Sequence, residues 1–314
     1  MPQRMAFLFP GQGSQFVGMG RDLYEREALA RERFHEANEI LGIDIAKLCF
    51  NGPAEELQLT ANTQPAILVH STIIGELLRL RGITPVAVAG HSLGEYSALV
   101  ASGSMRFADA VRLVQLRGRF MQEAVPAGDG AMAAILGLDR VQVELACVEV
   151  IDEGVVQPAN YNCPGQIVIS GHAAAVRKAM ARCLENGALK VMELQVSAPF
   201  HSALMEPAAE RLQPELYGVT FADMQVPVIS NVEAKPFGSK VRVPRLLLDQ
   251  VTAPVRWQES VEALIQMGVE CVVESGPGKV LSALMRRINR RVKVVELKEL
   301  FEAPEGKAWS WQDR

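Results

Sequence analysis

The sequence is poor in the residues that build a disulfide framework or a metal site. Its 314 residues include five cysteines and five histidines. The cysteines are odd in number and contain no C-x-x-C pair, which argues against disulfide cross-links or a zinc site. The histidines form no H-x-x-x-H pair that would hold a metal. We therefore expect no metal site.

The sequence also lacks a long apolar run, a signal peptide and an excess of positive charge. No stretch approaches the roughly 18 apolar residues that span a bilayer, and the N-terminus has no apolar core followed by a cleavage site. We therefore expect a cytoplasmic protein without a membrane partner. The formal net charge of -4 does not favour nucleic acid as a partner either.

Basic residues are concentrated in the run Arg286-Arg287-Ile288-Asn289-Arg290-Arg291. Such a patch could dock an acidic protein. The same pattern is typical of a solvated face at the C-terminus of a helix. Both interpretations stay open at this stage.

Short β-type runs alternate with helical segments, as in a mostly parallel sheet covered by helices. The β-type runs are residues 5–9, 86–89, 226–230, 271–274 and 292–296. The helical segments lie near residues 64–81, 107–123, 203–217, 243–251 and 257–267. We predict a large α/β-hydrolase-like domain made of residues 1–125 and 198–314. Its tail from about Pro304 to Arg314 has no periodicity, so we expect that tail to be flexible.

A different order follows the Pro-Ala-Gly-Asp-Gly segment at residues 126–130, which is typical of a linker. Strands are predicted at residues 131–136, 155–161, 166–170 and 188–196, and helices at 141–150 and 173–185. This β-α-β-β-α-β order defines a ferredoxin-like unit. We therefore predict a small ferredoxin-like domain, residues 126–197, inserted into the large one.

The pentapeptide Gly90-His91-Ser92-Leu93-Gly94 lies between a β-type run and a helical segment. A G-x-S-x-G at such a junction is a nucleophile elbow, in which the glycines allow a tight turn and the serine hydroxyl is exposed. Ser92 is therefore a candidate nucleophile. The alternative is an ordinary glycine-rich turn in which Ser92 caps the helix.

A serine nucleophile needs a base, and His201 is the best candidate. It lies in Ser197-Ala198-Pro199-Phe200-His201-Ser202, where Ser202 resembles a helix N-cap with Glu206 in the first turn. The positive potential of a helix N-terminus favours the neutral imidazole that a base must have. The alternative is a loop histidine that packs locally.

Arg117 falls on the apolar stripe of its helix with Leu113 and Phe120, whereas Arg112 falls on the opposite face. An arginine that faces the core needs an anionic partner. A structural Asp or Glu would make a buried ion pair, and a partner that arrives with the substrate would make a carboxylate clamp. Helix geometry does not decide between the two.

An oxyanion needs hydrogen-bond donors. In an elbow the residue after the nucleophile, Leu93, supplies a backbone N–H. The glycine-rich loop after the first strand, residues 9–15, lies at the strand end where open α/β sheets place their sites. Gln12 in this loop is the candidate second donor.

Seven segments of the chain together form a specific pattern. In chain order they are Pro10-Gly11-Gln12-Gly13-Ser14-Gln15, Thr63-Gln64-Pro65-Ala66, Gly90-His91-Ser92-Leu93-Gly94-Glu95-Tyr96, Arg117-Gly118, Asn160-Tyr161-Asn162, Pro199-Phe200-His201-Ser202 and Glu274-Ser275-Gly276-Pro277-Gly278. The pattern closely resembles that of the malonyl-CoA:acyl carrier protein transacylases, the acyltransferases of bacterial fatty acid synthesis. The resemblance extends from about Met5 to Leu297.

The resemblance implies roles at the matching positions. Ser92 would carry the acyl group, His201 would be the base, and Arg117 would bind the malonyl carboxylate. The backbone N–H groups of Gln12 and Leu93 would form the oxyanion hole, and the main-chain carbonyl of Gln250 would orient His201. Phe200 would exclude a methylmalonyl group. The implied cleft residues are His91, Gln64, Asn160 and Asn162.

The resemblance further implies malonyl-CoA and acyl carrier protein as partners, no cofactor, and a monomer. The malonyl group would pass from malonyl-CoA to Ser92 and then to the phosphopantetheine thiol of the carrier. A serine thioesterase or acyl hydrolase would share the elbow, but it would not need the arginine. A carrier-docking protein without catalysis would lack the nucleophile or the base. An acyltransferase that serves a polyketide synthase in trans would share all the motifs.

Overall fold

The computed structural model describes residues 4–196 and 198–301, and this part of the chain forms nine strands and fourteen α-helices. The strands are β1 Met5–Phe9, β2 Ala87–Gly90, β3 Gly130–Leu136, β4 Val156–Cys163, β5 Gln166–His172, β6 Lys190–Glu193, β7 Val228–Ile229, β8 Cys271–Glu274 and β9 Lys293–Val295. The helices are α1 Arg21–Arg26, α2 Ala28–Leu41, α3 Ile45–Asn51, α4 Ala54–Gln58, α5 Thr60–Leu80, α6 Gly94–Ala101, α7 Phe107–Glu123, α8 Arg140–Val148, α9 Ala173–Glu185, α10 Glu206–Tyr217, α11 Val243–Thr252, α12 Trp257–Gln266, α13 Val280–Ile288 and α14 Leu297–Phe301.

The larger sheet is parallel throughout, with strand order β7-β2-β1-β8-β9. Every residue of its central strand β1 is buried. Phe7 and Phe9 contribute to the core on one face of the sheet, whereas Ala6 and Leu8 contribute to the core on the other. A parallel strand covered by helices on both faces needs such a continuous apolar run. The expected α/β architecture is confirmed.

The smaller sheet is antiparallel, with strand order β4-β5-β3-β6. Successive side chains of β3 pack into two different cores. Ala133 and Ile135 lie in the core beneath α8 and α9, whereas Met132 lies in the large core. The two helices and four strands follow the ferredoxin-like order that was predicted. The boundaries at residues 126 and 197 stay predictions.

The turn at residues 90–94 is fixed by backbone packing. Ser92 has φ 52°, a left-handed conformation that is uncommon for a residue with a side chain. The His91 N–H donates to the Phe9 carbonyl at 2.9 Å. A Cβ added to Gly94 would lie 2.0 Å from the Phe9 carbonyl oxygen, and one added to Gly90 would lie 1.9 Å from the Gly94 backbone. Both glycines of the elbow are therefore required by close backbone contacts.

The structure corrects the expected helix cap after His201. Ser202 does not cap with its side chain, because its hydroxyl donates to the Pro199 carbonyl at 2.7 Å. A short 3₁₀ helix, Ala203–Met205, follows, and α10 begins only at Glu206. Four helices between residues 21 and 58, together with α13 and α14, were not among the predicted segments. Most of these are short, so their periodicity is weak.

The basic run begins in the last turn of α13, as expected if it forms a solvated face at the C-terminus of a helix. Arg286 donates to Glu296 at 3.3 Å, and Arg287 donates to Gln166 at 2.7 Å. These contacts favour the solvated helix end over a free docking patch.

The predicted flexible tail, from about Pro304, lies outside the described residues. Among the residues described, no helix is long and apolar enough to cross a bilayer.

The close contact at the elbow generates a stability prediction. Gly94→Ala should destabilise the fold by about 3 kcal/mol or more, because the new methyl group must displace the β1 backbone. Gly75→Ala in α5 is the matched control, since its Cβ would lie at ordinary distances of 3.5 Å and above from Phe9 and Ser275. Urea unfolding of both variants is the measurement. Equal stability of the two variants would contradict the elbow packing.

Candidate active site

Ser92, His201 and the Gln250 carbonyl form a hydrogen-bonded row at the carboxyl end of β2. The Ser92 Oγ lies 2.7 Å from His201 Nε2, and His201 Nδ1 lies 2.8 Å from the Gln250 carbonyl oxygen. Since a carbonyl can only accept, Nδ1 must carry the proton and Nε2 must accept from the serine. A main-chain carbonyl thus fixes the tautomer that suits a base. His201, like Ser92, has a left-handed backbone, with φ 57°.

The environment of His201 keeps its imidazole neutral. Burial is the main cause that lowers the pKa of His201 to about 3, and the positive charge of Arg117 lowers it further. The hydrogen bond to the Gln250 carbonyl opposes the shift. The neutral form follows from burial and a nearby cation, not from a helix N-terminus as the sequence suggested. Above pH 5 the ring is therefore the free base.

Arg117 is buried, with 1% of its surface exposed. Its guanidinium donates to Gln64 Oε1 at 2.9 Å, to Gln250 Oε1 at 2.9 Å and to Ser92 Oγ at 3.1 Å. Within residues 4–196 and 198–301 no carboxylate forms a salt bridge with it, and its Nε has no hydrogen-bond partner. The buried ion pair considered from the sequence is therefore not what the structure shows. The charge faces the serine oxygen and two neutral amides.

Two residues beside the serine have backbone N–H groups that are candidates for an oxyanion hole. Gln12 and Leu93 line one small cavity together with Ser92 and His201. In the described part of the chain, neither the Gln12 N–H nor the Leu93 N–H has a hydrogen-bond acceptor. The Gln12 side chain is turned away and donates to Thr60 Oγ1 at 3.2 Å. The geometry thus leaves two main-chain donors free for an oxyanion.

Four of the remaining predicted residues line this cavity, whose volume is about 110 Å³. Gln64, His91, Asn160 and Phe200 all line it, whereas Asn162 lies behind His91. The His91 Nε2 lies 2.9 Å from Asn162 Oδ1. Burial lowers the pKa of His91, so this ring is also held neutral. Four further apolar residues of the lining were missed by the sequence analysis: Met121, Met132, Leu194 and Val196.

Two buried polar residues behind the serine were also missed. The Asn231 side chain bonds the Gly90 carbonyl and the Ser92 N–H, on either side of His91, and Glu95 accepts hydrogen bonds from the Gln250 side chain and the Asn231 N–H. Burial raises the pKa of Glu95 to about 8, although these hydrogen bonds and the Arg117 charge oppose the shift. Asn231 follows a predicted strand at its carboxyl end, and that position was the available signal. For Glu95 the sequence offers no signal other than its position directly after the G-x-S-x-G motif.

The fold and this geometry define a class of protein. A parallel sheet presents a serine on an elbow, a neutral histidine within 2.7 Å of its hydroxyl, and free backbone donors beside it. This arrangement is typical of α/β enzymes that form an acyl-serine intermediate. The residue that distinguishes this chain within the class is the unpaired Arg117.

Comparison with known proteins narrows the class. Residues 6–301 match the model of the acyl transferase domain family. A malonyl CoA-acyl carrier protein transacylase from Bacillus subtilis is 52% identical, with 94% of each chain covered. An acyl carrier protein S-malonyltransferase from Vibrio cholerae has a solved structure with a TM-score of 0.90 and 46% identity, covering 94% of this chain and 96% of that one.

A second similar structure contains a partner. It is described as a type II PKS acyl-carrier protein in complex with its malonyl-transacylase, and it matches with a TM-score of 0.94 and 43% identity over 97% of this chain and 100% of that one. The chain belongs to the acyl transferase family, and within it to the malonyl CoA-acyl carrier protein transacylases. It is an acyltransferase.

Proposed function

We propose that this protein transfers the malonyl group from malonyl-CoA to the phosphopantetheine thiol of acyl carrier protein, through a malonyl ester on Ser92, and so supplies fatty acid synthesis. One observation carries the proposal: Ser92 Oγ lies between a neutral base, His201, and a buried arginine without a carboxylate partner in the described chain. The base suits acyl transfer in general. The unpaired cation suits an acyl group that brings its own carboxylate.

In the first half-reaction His201 Nε2 removes the Ser92 hydroxyl proton while Oγ attacks the thioester carbonyl carbon. The resulting oxyanion accepts hydrogen bonds from the Gln12 and Leu93 N–H groups. When the C–S bond breaks, the proton on His201 passes to the CoA sulfur. The products are CoA and malonyl-Ser92, and the proton balance is closed.

The second half-reaction runs the same steps with the carrier thiol as nucleophile. His201 removes the thiol proton, sulfur attacks the ester carbonyl, and Ser92 leaves with the proton. Arg117 holds the distal carboxylate in both halves through charge-assisted hydrogen bonds. The cavity of about 110 Å³ supports a short acyl group, since one water-sized group fills roughly 30 Å³.

The proposal includes no metal or redox cofactor, because proton transfer and acyl exchange need only these side chains and backbone donors. We also propose that the enzyme is monomeric and cytoplasmic.

The second candidate function is that of an acyltransferase that serves a polyketide synthase. The similar structure with a type II PKS carrier specifically favours this candidate. Transfer rates with a fatty acid carrier and a polyketide carrier, measured side by side, distinguish the two candidates.

The serine and histidine roles generate one prediction. Brief exposure to malonyl-CoA should add one malonyl group to Ser92, and Ser92→Ala should abolish the adduct. His201→Ala should slow both half-reactions by at least ~10²-fold, the usual contribution of a positioned base. Because the pKa of His201 is lowered to about 3, its protonation should not limit the acylation rate between pH 5 and 8.

The measurements are intact-protein and peptide mass spectrometry and stopped-flow acylation across that pH range. Ser97→Ala is the matched control, because Ser97 is a buried serine of α6 whose hydroxyl has no partner in the described structure. The Ser97→Ala variant should be acylated on Ser92 at the wild-type rate. A malonyl adduct that maps to a residue other than Ser92 would disprove the assignment, and normal turnover of His201→Ala would move the base elsewhere.

The arginine role predicts a change of specificity. Arg117→Ala should reduce the transition-state stabilisation for malonyl transfer by about 2 to 5 kcal/mol. The rate of acetyl transfer should stay the same or increase. Arg117→Lys should restore little, because lysine cannot make the forked contact. Arg112→Ala is the control on the same helix, since Arg112 is half exposed and pairs with Glu215. Equal losses for malonyl-CoA and acetyl-CoA would indicate a structural role for Arg117.

Phe200 predicts which extender unit is accepted. Its ring is 8% exposed and lines the cavity beside His201. An extra methyl group at the α-carbon would overpack this site at a cost of about 1 to 3 kcal/mol, which corresponds to roughly a 10- to 200-fold preference for malonyl-CoA. Phe200→Ser should narrow that preference. The measurement is kcat/KM for malonyl-CoA and methylmalonyl-CoA, and equal use of both by the wild type would contradict the proposal.

A further inference from the structure

We propose that Asn231 is a positioning residue that holds the Ser92 elbow in its reactive conformation. The inference rests on the proposed nucleophilic role of Ser92. Asn231 touches neither the cavity nor the base, and its side chain is fully buried. It acts through the backbone that leads into the serine, at the Gly90 carbonyl and the Ser92 N–H.

The sheet explains why such a residue is needed. Strand β7 pairs with β2 through Val88–Val228 and Ala89–Ile229. The chain leaves the sheet at Gly90 to make the elbow, so the backbone groups of Gly90 and Ser92 lose the strand partner that the next step of the ladder would supply. Buried backbone groups without partners are costly. Asn231 lies two residues beyond β7, where a longer strand would have supplied that partner.

The Asn231 side-chain amide replaces the missing step of the ladder. Its Nδ2 donates to the Gly90 carbonyl at 2.7 Å, and its Oδ1 accepts from the Ser92 N–H at 2.7 Å. A flipped amide would set donor against donor and acceptor against acceptor, so the contacts fix its orientation. One side chain thus ties together the two backbone groups on either side of His91, at the entry to the strained turn.

The amide is itself held in place. The Asn231 N–H donates to Glu95 Oε1 at 3.3 Å, and its carbonyl accepts from the Arg256 N–H at 3.0 Å. Gln250 Nε2 lies 3.4 Å from Asn231 Oδ1 and also donates to the Ser92 carbonyl at 3.0 Å. Every backbone and side-chain polar group of Asn231 is therefore engaged.

The contact has a consequence for the chemistry. Because Asn231 occupies the Ser92 N–H, the Leu93 N–H is the donor that the elbow leaves free for the oxyanion. The same contact fixes the left-handed backbone from which Ser92 Oγ reaches to within 2.7 Å of His201. Loss of the amide should therefore move the nucleophile relative to both its base and its oxyanion donors.

Asn231→Asp tests the geometry with nearly the same shape. Its carboxylate still accepts from the Ser92 N–H but repels the Gly90 carbonyl, whereas the protonated acid can donate to that carbonyl and restore both contacts. Burial beside Glu95 should raise the pKa of the new carboxyl group, so its protonated form should be populated at mildly acidic pH. The titratable and charged groups near this position are Glu95, Arg117 across the Gln250 amide, and Arg256, whose side chain donates to the Val232 and Glu233 carbonyls.

We expect Asn231→Asp to lower the acylation rate at pH 8.5 by about 10²-fold with KM for malonyl-CoA nearly unchanged, as for a misplaced nucleophile. Relative to the wild type at the same pH, its rate should rise by about tenfold or more at pH 5.5. Asn231→Ala should show a similar loss but a ratio to wild type that does not change with pH. Stopped-flow acylation gives the rates, and thermal unfolding at each pH confirms that the protein is folded.

Ser230→Ala is the matched control, because the neighbouring Ser230 is fully buried and its hydroxyl has no partner in the described residues. It should acylate at the wild-type rate. Wild-type rates for both Asn231 variants would overturn the proposal. So would failure of both variants to fold at every pH, because Asn231 would then be needed for folding and not for positioning. Absence of a malonyl adduct on wild-type Ser92 would instead overturn the proposed function.

Discussion

Arg117 is the group on which the rest of the site depends, because an uncompensated buried charge is unstable unless its surroundings are built for it. Gln64 and Gln250 each give it an amide oxygen, and Tyr96 places a ring 5.6 Å from its guanidinium carbon. Beyond the Gln250 amide lies the carboxyl group of Glu95. The amide lets the carboxyl group face the cation without pairing with it.

Gln250 links three parts of this arrangement. Its carbonyl orients His201, its Oε1 accepts from Arg117, and its Nε2 donates to Glu95 and to the Ser92 carbonyl. The base, the cation and the elbow are therefore held by one residue of α11. A substitution there would disturb all three groups at once, so its effect could not be divided among them.

Much of the fold was predictable from the sequence, because long periodic segments such as α7 and the buried strand β1 carry strong local signals. Ser92, His201 and Arg117 were predictable as candidates from a motif, a loop and a helix face. What bonds Arg117 was not predictable, since it depends on residues 53 and 133 positions away. Asn231 was missed for the same reason: its partners are Gly90 and Ser92, and its place after a predicted strand does not show that it bonds them.

The row from Ser92 to Gln250 also has a consequence for how the protein matures. Ser92 and His201 are 109 positions apart, with the whole small sheet between them, and Asn231 is 139 positions from Ser92. Contacts of such high sequence separation form late in folding, after loop closure over intervening chain. During synthesis the serine leaves the ribosome well before its base and Asn231. An incomplete chain therefore carries an inert hydroxyl, and reactivity arises only when the last third of the described chain has joined the sheet.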